Sequence, residues 1–145
     1  MTAKEIEVLI VEDNPITRSG YKELVSRWGF MTRTAHNGLA ALVELHAAKP
    51  DILLSDLEMP GMNGFELLSI VRRLYPEIRT VAMSGAYGGD HVPDGVLADA
   101  FYAKAGVGFS QLHTILSEVI RPAFNVVRTP PRERLSSTAI EGSMR

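Results

Sequence analysis

Glu12, Asp13, Asp56, Ser84 and Lys104 each end or directly follow a short apolar segment, and together they suit one kind of chemistry. Three carboxylates held close together repel one another, so a site that contains them must hold protons or a cation. A partly hydrated, all-oxygen site suits Mg²⁺, with Mn²⁺ as a second candidate. The ammonium of Lys104 and the hydroxyl of Ser84 can both reach phosphoryl oxygens. These groups therefore predict phosphoryl transfer to the Asp56 carboxylate.

The segment around Asp56 shows how such a carboxylate would be presented. Residues 52–54, Ile-Leu-Leu, have the length and composition of a strand buried on both faces. An ionised carboxylate at the end of that strand is costly unless a cation or a hydrogen-bond donor meets it. Pro60, Gly61 and Gly64 follow closely and interrupt regular structure, which keeps Asp56 accessible. The simpler alternative is that Asp56 only caps the next helix.

Strands alternating with helices are the elements that must bring these residues together. The apolar segments predict five strands, at residues 7–11, 30–36, 51–55, 79–84 and 101–104. Asn14 and Pro15 mark the start of the first helix. The alternation predicts an α/β fold with a doubly wound parallel sheet and helices on both faces. For its five strands we expect the flavodoxin-like order 2-1-3-4-5, one of the common orders of such sheets. In that order the first and third strands are neighbours, so the three carboxylates share a crevice at the C-terminal edge of the sheet.

Helical spacing predicts which residues of the helices face the core. The predicted inward residues are Leu39, Leu42, Val43 and Leu45, then Leu67, Leu68, Ile70, Val71 and Leu74, and finally Phe109, Leu112, Ile115, Leu116 and Val119. Between Ser84 and Phe101 the chain is rich in glycine and contains Pro93. This leaves room for only a short or irregular fourth helix, over Val92–Ala98.

Composition narrows the class of protein. The 145 residues predict one folded domain at 1–121, and the absence of cysteine excludes disulfides and thiolate metal sites. Neither a membrane-spanning run nor a signal-peptide pattern occurs, so we expect a cytoplasmic protein without a membrane partner. Residues 1–120 carry 10 basic and 15 acidic side chains, which argues against direct nucleic acid binding. Residues 122–145 form a basic tail that we expect to be disordered.

The ordered motifs "VED", "SDLEMPGMNG", "MSG" and "FYAK" resemble the receiver domain of two-component response regulators, over about Glu5 to Ile120. The resemblance is to single-domain, chemotaxis-regulator-like receivers. It implies that Asp56 is the phosphoacceptor and that Asp13 and Asp56 bind Mg²⁺ directly. It further implies that the backbone carbonyl of Glu58 is a metal ligand and that Glu12 acts through the metal's waters.

The same resemblance implies roles for the other strand-end residues. Lys104 would bind the phosphoryl group, Ser84 would be the hydroxyl that switches toward it, and Phe101 would be the aromatic that follows. The phosphoryl donor would be a sensor histidine kinase or phosphotransfer protein, and a downstream protein target would read the result. Such a domain is a phosphoacceptor that assists its own phosphorylation and dephosphorylation, not an enzyme. Ala105 stands where the family usually has proline, which puts the geometry of that loop in question.

Three alternatives remain open at this point. The chain could be the receiver portion of a longer regulator with a DNA-binding or enzymatic output domain. A haloacid-dehalogenase-like phosphatase also uses an aspartate nucleophile, but it needs a second aspartate where Glu58 stands. A flavodoxin-like FMN protein needs a phosphate-binding loop where Glu12 and Asp13 stand. For a receiver without an output domain we also expect the glycine-rich segment Gly85–Gly95 to be mobile when Asp56 is free and to become more ordered on phosphorylation.

Overall fold

The computed structural model describes residues 5–85, 93–104 and 108–122 of the chain. Five parallel strands form one sheet in the order β2-β1-β3-β4-β5, which confirms the predicted fold class. The strands are β1 (Glu7–Val11), β2 (Met31–Ala35), β3 (Ile52–Asp56), β4 (Arg79–Ser84) and β5 (Ala100–Ala103). The helices are α1 (Pro15–Arg27), α2 (Gly38–Ala47), α3 (Gly64–Leu74) and α4 (Phe109–Val119). Among the described residues, no helix has the length and apolar character needed to cross a bilayer.

The sheet separates two hydrophobic cores, because successive residues of a strand point to opposite faces. On one face, α2 and α3 contribute Ala41, Leu45, Leu67 and Val71 to a core that includes Leu53. On the other face, α1 and α4 pack against the alternate residues of the same strands, with Tyr21, Val25, Leu112, Leu116 and Val119 buried against Ile10, Leu54 and Tyr102. β3 is buried along its whole length. Its residues Ile52–Leu54 are apolar on both faces, as predicted for a strand covered on both sides.

The strand register determines which polar residues meet at the C-terminal edge. Val11 of β1 pairs with Ser55 of β3, so Glu12 and Asp56 are each the next residue along adjacent strands. Asp56 in turn pairs with Met83 of β4, one residue before Ser84. Ser84 pairs with Ala103 of β5, and Lys104 follows directly. One edge of the sheet therefore collects residues that are as much as 92 positions apart in the chain.

Local capping interactions begin the helices beside this edge. Asn14 accepts hydrogen bonds from the backbone N–H groups of Ile16 and Thr17, and Pro15 occupies the first helical position. Both features agree with the sequence analysis. At α3, Asn63 and Glu66 form a reciprocal capping box, which satisfies two backbone donors at the start of that helix. The loops after β1 and β3 thus end in well-defined helix starts.

The predicted short helix over Val92–Ala98 is wrong for Pro93–Ala98, the part that the structure describes. Pro93 begins a turn that closes with a 3.2 Å hydrogen bond from the N–H of Val96 to the Pro93 carbonyl. Gly95 has a φ of 84°, a left-handed conformation that ends helical geometry. The chain then enters β5 through Asp99, whose carboxylate accepts hydrogen bonds from the backbone N–H and the hydroxyl of Thr80.

Several residues predicted to face the core lie on the surface instead. Leu39 and Val43 of α2 are 65% and 68% exposed, because α2 packs through the small residues Gly38 and Ala41 and through Leu45. Leu74 and Phe109 are also exposed, since each stands at the end of its helix. The other predicted inward residues are buried or partly buried. Periodicity located the helices correctly. Of the residues predicted to face inward on α2, however, only Leu45 is fully buried.

Gly64, the first residue of α3, lies against the backbone that carries Asp56, and a side chain there should be costly. A Cβ atom would stand 2.2 Å from the Asp56 carbonyl oxygen and 2.6 Å from the Leu57 Cα. We expect Gly64→Ala to lower the free energy of unfolding by on the order of 1–3 kcal/mol, because backbone must move.

Gly38→Ala is the matched control, since Gly38 begins α2 in the same way. A Cβ atom there meets only the Met62 side chain, 2.7 Å from its Sδ atom and 2.9 Å from its Cβ atom. The flexible outer part of that side chain can rotate away, and the Met62 Cβ needs only a small shift, so the cost should be lower than at Gly64. Thermal or urea unfolding of both variants measures the difference. Equal losses of stability in the two variants would contradict the argument.

Candidate functional site

Glu12, Asp13 and Asp56 meet at the C-terminal edge of the sheet, as the sequence predicts. Each offers a carboxylate oxygen, and these three oxygens all lie within 4.8 Å of one another. Glu12 and Asp56 are only 2% and 4% exposed, whereas Asp13 is partly exposed. Two nearly buried acids beside a third form a strongly electronegative site that needs positive charge to be stable.

Lys104 supplies part of that positive charge. Its Nζ atom lies 2.9 Å from Glu12 Oε1 and 3.2 Å from Asp56 Oδ2, so the ammonium bridges the two buried carboxylates. Burial by itself would lower the pKa of Lys104, but the hydrogen bond to Glu12 and the charge of Asp56 outweigh it and raise the pKa. The ammonium therefore stays charged at neutral pH. A single cation does not neutralise three carboxylates, and this leaves the site suited to a second one.

Asp56 titrates unlike an ordinary aspartate. Burial raises its pKa to about 6; the Lys104 charge pulls it down, and the Glu12 charge pushes it up. The carboxylate is thus held in a state that is costly until a cation joins it. A metal ion at this position would favour the ionised form, which is also the nucleophilic form.

Backbone hydrogen bonds hold the loops that carry these acids. Arg18 donates from Nη1 to the carbonyl oxygen of Glu12 at 2.9 Å, and the N–H of Asn14 donates to Glu12 Oε2 at 3.2 Å. The N–H of Glu58 lies 3.4 Å from Asp56 Oδ1. The carboxylates of Glu12 and Asp56 are therefore each oriented by a backbone N–H as well as by the Lys104 ammonium.

Ser84 lies at the same edge, and its hydroxyl contacts the side chain of Glu58, for which the sequence predicts no role. Its hydroxyl donates toward both carboxylate oxygens of Glu58, at 2.9 Å to Oε1 and 2.7 Å to Oε2. Ser84 is fully buried, whereas Glu58 is exposed, so the Glu58 side chain extends over the hydroxyl. The strand register explains this contact, because Ser84 follows the partner of Asp56 and Glu58 stands two residues after Asp56. The sequence could indicate only that both residues lie just beyond or at the end of adjacent strands.

Phe101 is buried at 4% exposure, on the face of the sheet that α2 and α3 cover, and belongs to the same hydrophobic core. Its neighbour Tyr102 points to the opposite face, toward α1 and α4. The structure therefore places Phe101 inward, and its proposed movement stays a prediction. Ala105, most of the Gly85–Gly95 segment and residues 123–145 of the tail lie outside the described residues.

The residues present fit a hard divalent cation. The converging donor atoms are carboxylate oxygens, which Mg²⁺ prefers, and the described part of the chain brings neither a sulfur nor an imidazole ligand into this cluster. Asp13 is partly exposed, which leaves room for the water ligands that Mg²⁺ retains.

The sequence matches the family model of the response regulator receiver domain over residues 8–103, which is more than half of the chain. The chain belongs to this family. Receiver domains are phosphoacceptor signalling domains of two-component systems. The phosphatase and FMN-protein alternatives are therefore not supported.

Relatives and solved structures agree with this assignment. Sporulation initiation phosphotransferase F of Bacillus subtilis is 37% identical over 82 residues, which cover 57% of this chain and 65% of the relative. The transcriptional regulatory protein ZraR of Klebsiella oxytoca is 26% identical over 121 residues, 83% of this chain but only 27% of that protein. The chain thus spans less than two thirds of the length of either relative.

Among solved structures, the receiver fold is reproduced closely. The response regulator TrrA of Thermotoga maritima, in complex with Mg²⁺-BeF, has a TM-score of 0.72 at 25% identity, covering 79% of this chain and 98% of TrrA. TrrA has also been solved in complex with the histidine kinase ThkA, with a TM-score of 0.72 at 26% identity, covering 80% of this chain and 99% of TrrA. CheY4 of Vibrio cholerae has a TM-score of 0.71 at 25% identity, covering 80% of this chain and 99% of CheY4.

The raised pKa of Asp56 predicts a pH-dependent effect of Asp56→Asn on stability without Mg²⁺. The pKa rises from 3.8 to about 6 on folding, so the folded state binds more protons across that window and loses stability as pH increases through it. Asp56→Asn removes this penalty. We expect it to raise the free energy of unfolding at pH 7.5 by on the order of 1–3 kcal/mol.

The gain should shrink as pH falls through the folded-state pKa of about 6 and be small at pH 4, close to the unfolded-state pKa of 3.8, where the folded state is protonated and the unfolded state is partly protonated. Urea unfolding at pH 4, 6 and 7.5 in the presence of a chelator measures it. Asp94→Asn is the control, because Asp94 is exposed and away from the site. A gain for Asp56→Asn that does not vary with pH would contradict the electrostatic explanation.

Proposed function

We propose that Asp56 accepts a phosphoryl group from a phosphohistidine of a sensor histidine kinase or phosphotransfer protein. The observation that carries this proposal is the Asp56 carboxylate at the sheet edge, 3.2 Å from the Lys104 ammonium and within 4.8 Å of the carboxylate oxygens of Glu12 and Asp13. The complex of TrrA with ThkA supports a histidine kinase as the class of donor.

Asp56 and Lys104 would have different roles in the phosphoryl transfer. A carboxylate oxygen of Asp56 attacks phosphorus while the bond from phosphorus to the donor nitrogen breaks. Lys104 lies between Glu12 and Asp56, so its ammonium can shift from Asp56 Oδ2 to a phosphoryl oxygen without losing Glu12. Because the pKa of Lys104 is raised, it acts as a fixed positive charge and not as a proton donor.

Asp13 and Asp56 would hold Mg²⁺ directly, with the Glu58 backbone carbonyl as a further ligand and Glu12 acting through water. The Mg²⁺-BeF complex of TrrA supports this choice of ion, and Mn²⁺ would fit the same oxygen donors. When bound, the ion neutralises charge on the transferring phosphoryl oxygens.

The signal would pass from the site to another protein. Ser84 stands at the end of β4 and would turn its hydroxyl toward the phosphoryl group, and Phe101 would repack in response. The rearrangement of Ser84 and Phe101 would alter the protein surface. We expect the altered surface to bind a downstream protein target and not nucleic acid. The cytoplasmic location and the boundary between residues 1–121 and the basic tail stay predictions. The alternative of an additional output domain stays a prediction: the TrrA and CheY4 matches extend over nearly all of those chains, whereas the match to ZraR covers only 27% of that protein.

Phosphorylation of Asp56 tests the proposal directly. Incubation with acetyl phosphate and Mg²⁺ should add one acid-stable, base-labile phosphoryl group, because the acceptor is a carboxylate. Intact-protein mass spectrometry should detect it in the wild type and in Asp94→Asn but not in Asp56→Asn. Labelling that persists in Asp56→Asn would refute the assignment.

Metal binding tests the role of Asp13 separately. We expect Asp13→Ala to weaken Mg²⁺ at least about tenfold, the loss that even outer-sphere partners of metal ligands commonly cause. Isothermal titration with Mg²⁺ measures the affinity, and Glu118→Ala is the control because Glu118 is an exposed residue of α4. Equal affinity in wild type and Asp13→Ala would exclude Asp13 as a ligand.

A further inference from the structure

We propose that the Glu58 carboxylate is a resting-state latch, which holds the Ser84 hydroxyl and must release it before Ser84 can bind a phosphoryl group on Asp56. The inference rests on the proposed function of Asp56. It gives the Glu58 side chain a positioning role that is separate from the ligand role of its backbone carbonyl.

The geometry of the latch is a two-oxygen acceptor placed over one donor. Ser84 Oγ lies 2.9 Å from Oε1 and 2.7 Å from Oε2 of Glu58, so its single proton is shared between both oxygens. Hydrogen bonds to an ionised carboxylate are stronger than those between neutral groups. Ser84 is fully buried, so the hydrogen bond is shielded from water on the side of the hydroxyl.

Phosphorylation would place new acceptor oxygens close to this pair. Glu58 stands two residues after Asp56, and its N–H lies 3.4 Å from Asp56 Oδ1. The Ser84 proton cannot serve both the Glu58 carboxylate and a phosphoryl oxygen at full strength, so the two acceptors compete for it. The phosphorylated arrangement therefore forms at the expense of the latch.

Glu58 could also disfavour phosphorylation by simple charge repulsion, and the two effects can be separated. Repulsion between the Glu58 carboxylate and a phosphoryl group does not need the Ser84 hydroxyl. The latch does need it. A double-mutant cycle with Glu58→Ala and Ser84→Ala therefore isolates the latch from repulsion, because the coupling measures only what the pair does together.

The first experiment uses the protein without metal or phosphoryl mimic. Urea unfolding of the wild type, Glu58→Ala, Ser84→Ala and the double variant gives the coupling between the two side chains. We expect a coupling equivalent to about a three- to tenfold change in the folding equilibrium, the range of an ordinary intramolecular hydrogen bond, because solvent around the exposed Glu58 screens its charge. Additive effects would show that the bond is not formed in solution and would overturn the latch.

The second experiment measures beryllofluoride affinity in the presence of Mg²⁺, by isothermal titration, for the same four proteins. We expect Glu58→Ala to bind about three- to tenfold more tightly than the wild type, because the hydroxyl is already released. In the Ser84→Ala background the same substitution should change affinity less than about twofold. Glu118→Ala controls for the loss of one surface carboxylate.

The outcomes distinguish this inference from the proposed function. If the wild type fails to bind beryllofluoride, the phosphoacceptor proposal is wrong and the latch has no function to regulate. If the wild type binds but Glu58→Ala has equal effects in both Ser84 backgrounds, only repulsion acts and the latch alone is overturned. Glu58→Gln should fall between wild type and Glu58→Ala, since an amide oxygen still accepts but carries no charge.

Discussion

The ion pairs of Lys104 with two buried carboxylates are the interaction on which the rest of the site depends. Glu12 and Asp56 come from adjacent strands and are nearly inaccessible to water, so each would be destabilising as an isolated anion. The ammonium between them makes their ionisation tolerable. It is still insufficient for three acids, and this deficit of positive charge is what makes the site receptive to a metal ion and a phosphoryl group.

The fold brings these charges together through backbone structure and not through the side chains themselves. Parallel strands β1, β3, β4 and β5 all end at one edge, and two apolar cores fix their register. The register places Glu12, Asp56, Ser84 and Lys104 at the ends of the same four strands. Stability is therefore supplied by the cores, while the polar edge can remain electrostatically unfavourable for the sake of its chemistry.

The accuracy of sequence-based prediction followed the strength of the local signals. The continuous apolar run of β3 and the Asn14–Pro15 helix start are unambiguous, and both were predicted correctly. The α2 helix was located correctly, but its inward face was not, because Gly38 and Ala41 allow closer packing than Leu39 or Val43 would. Pro93 and Gly95 were recognised as unfavourable to a helix, yet the turn that they form was not predicted.

By itself the sequence determined the fold class and the identity of the strand-end residues, since apolar patterning and helix caps are local properties of the chain. The strand order was expected only as a common arrangement of such sheets, and the tertiary structure confirms it. Only the tertiary structure decided how those residues are connected. Lys104 bridges Glu12 and Asp56 instead of standing free, and the Glu58 side chain accepts the Ser84 hydroxyl. Such contacts depend on the exact strand register and on side-chain rotamers, which are set by packing between distant segments and leave no periodic signal in the sequence.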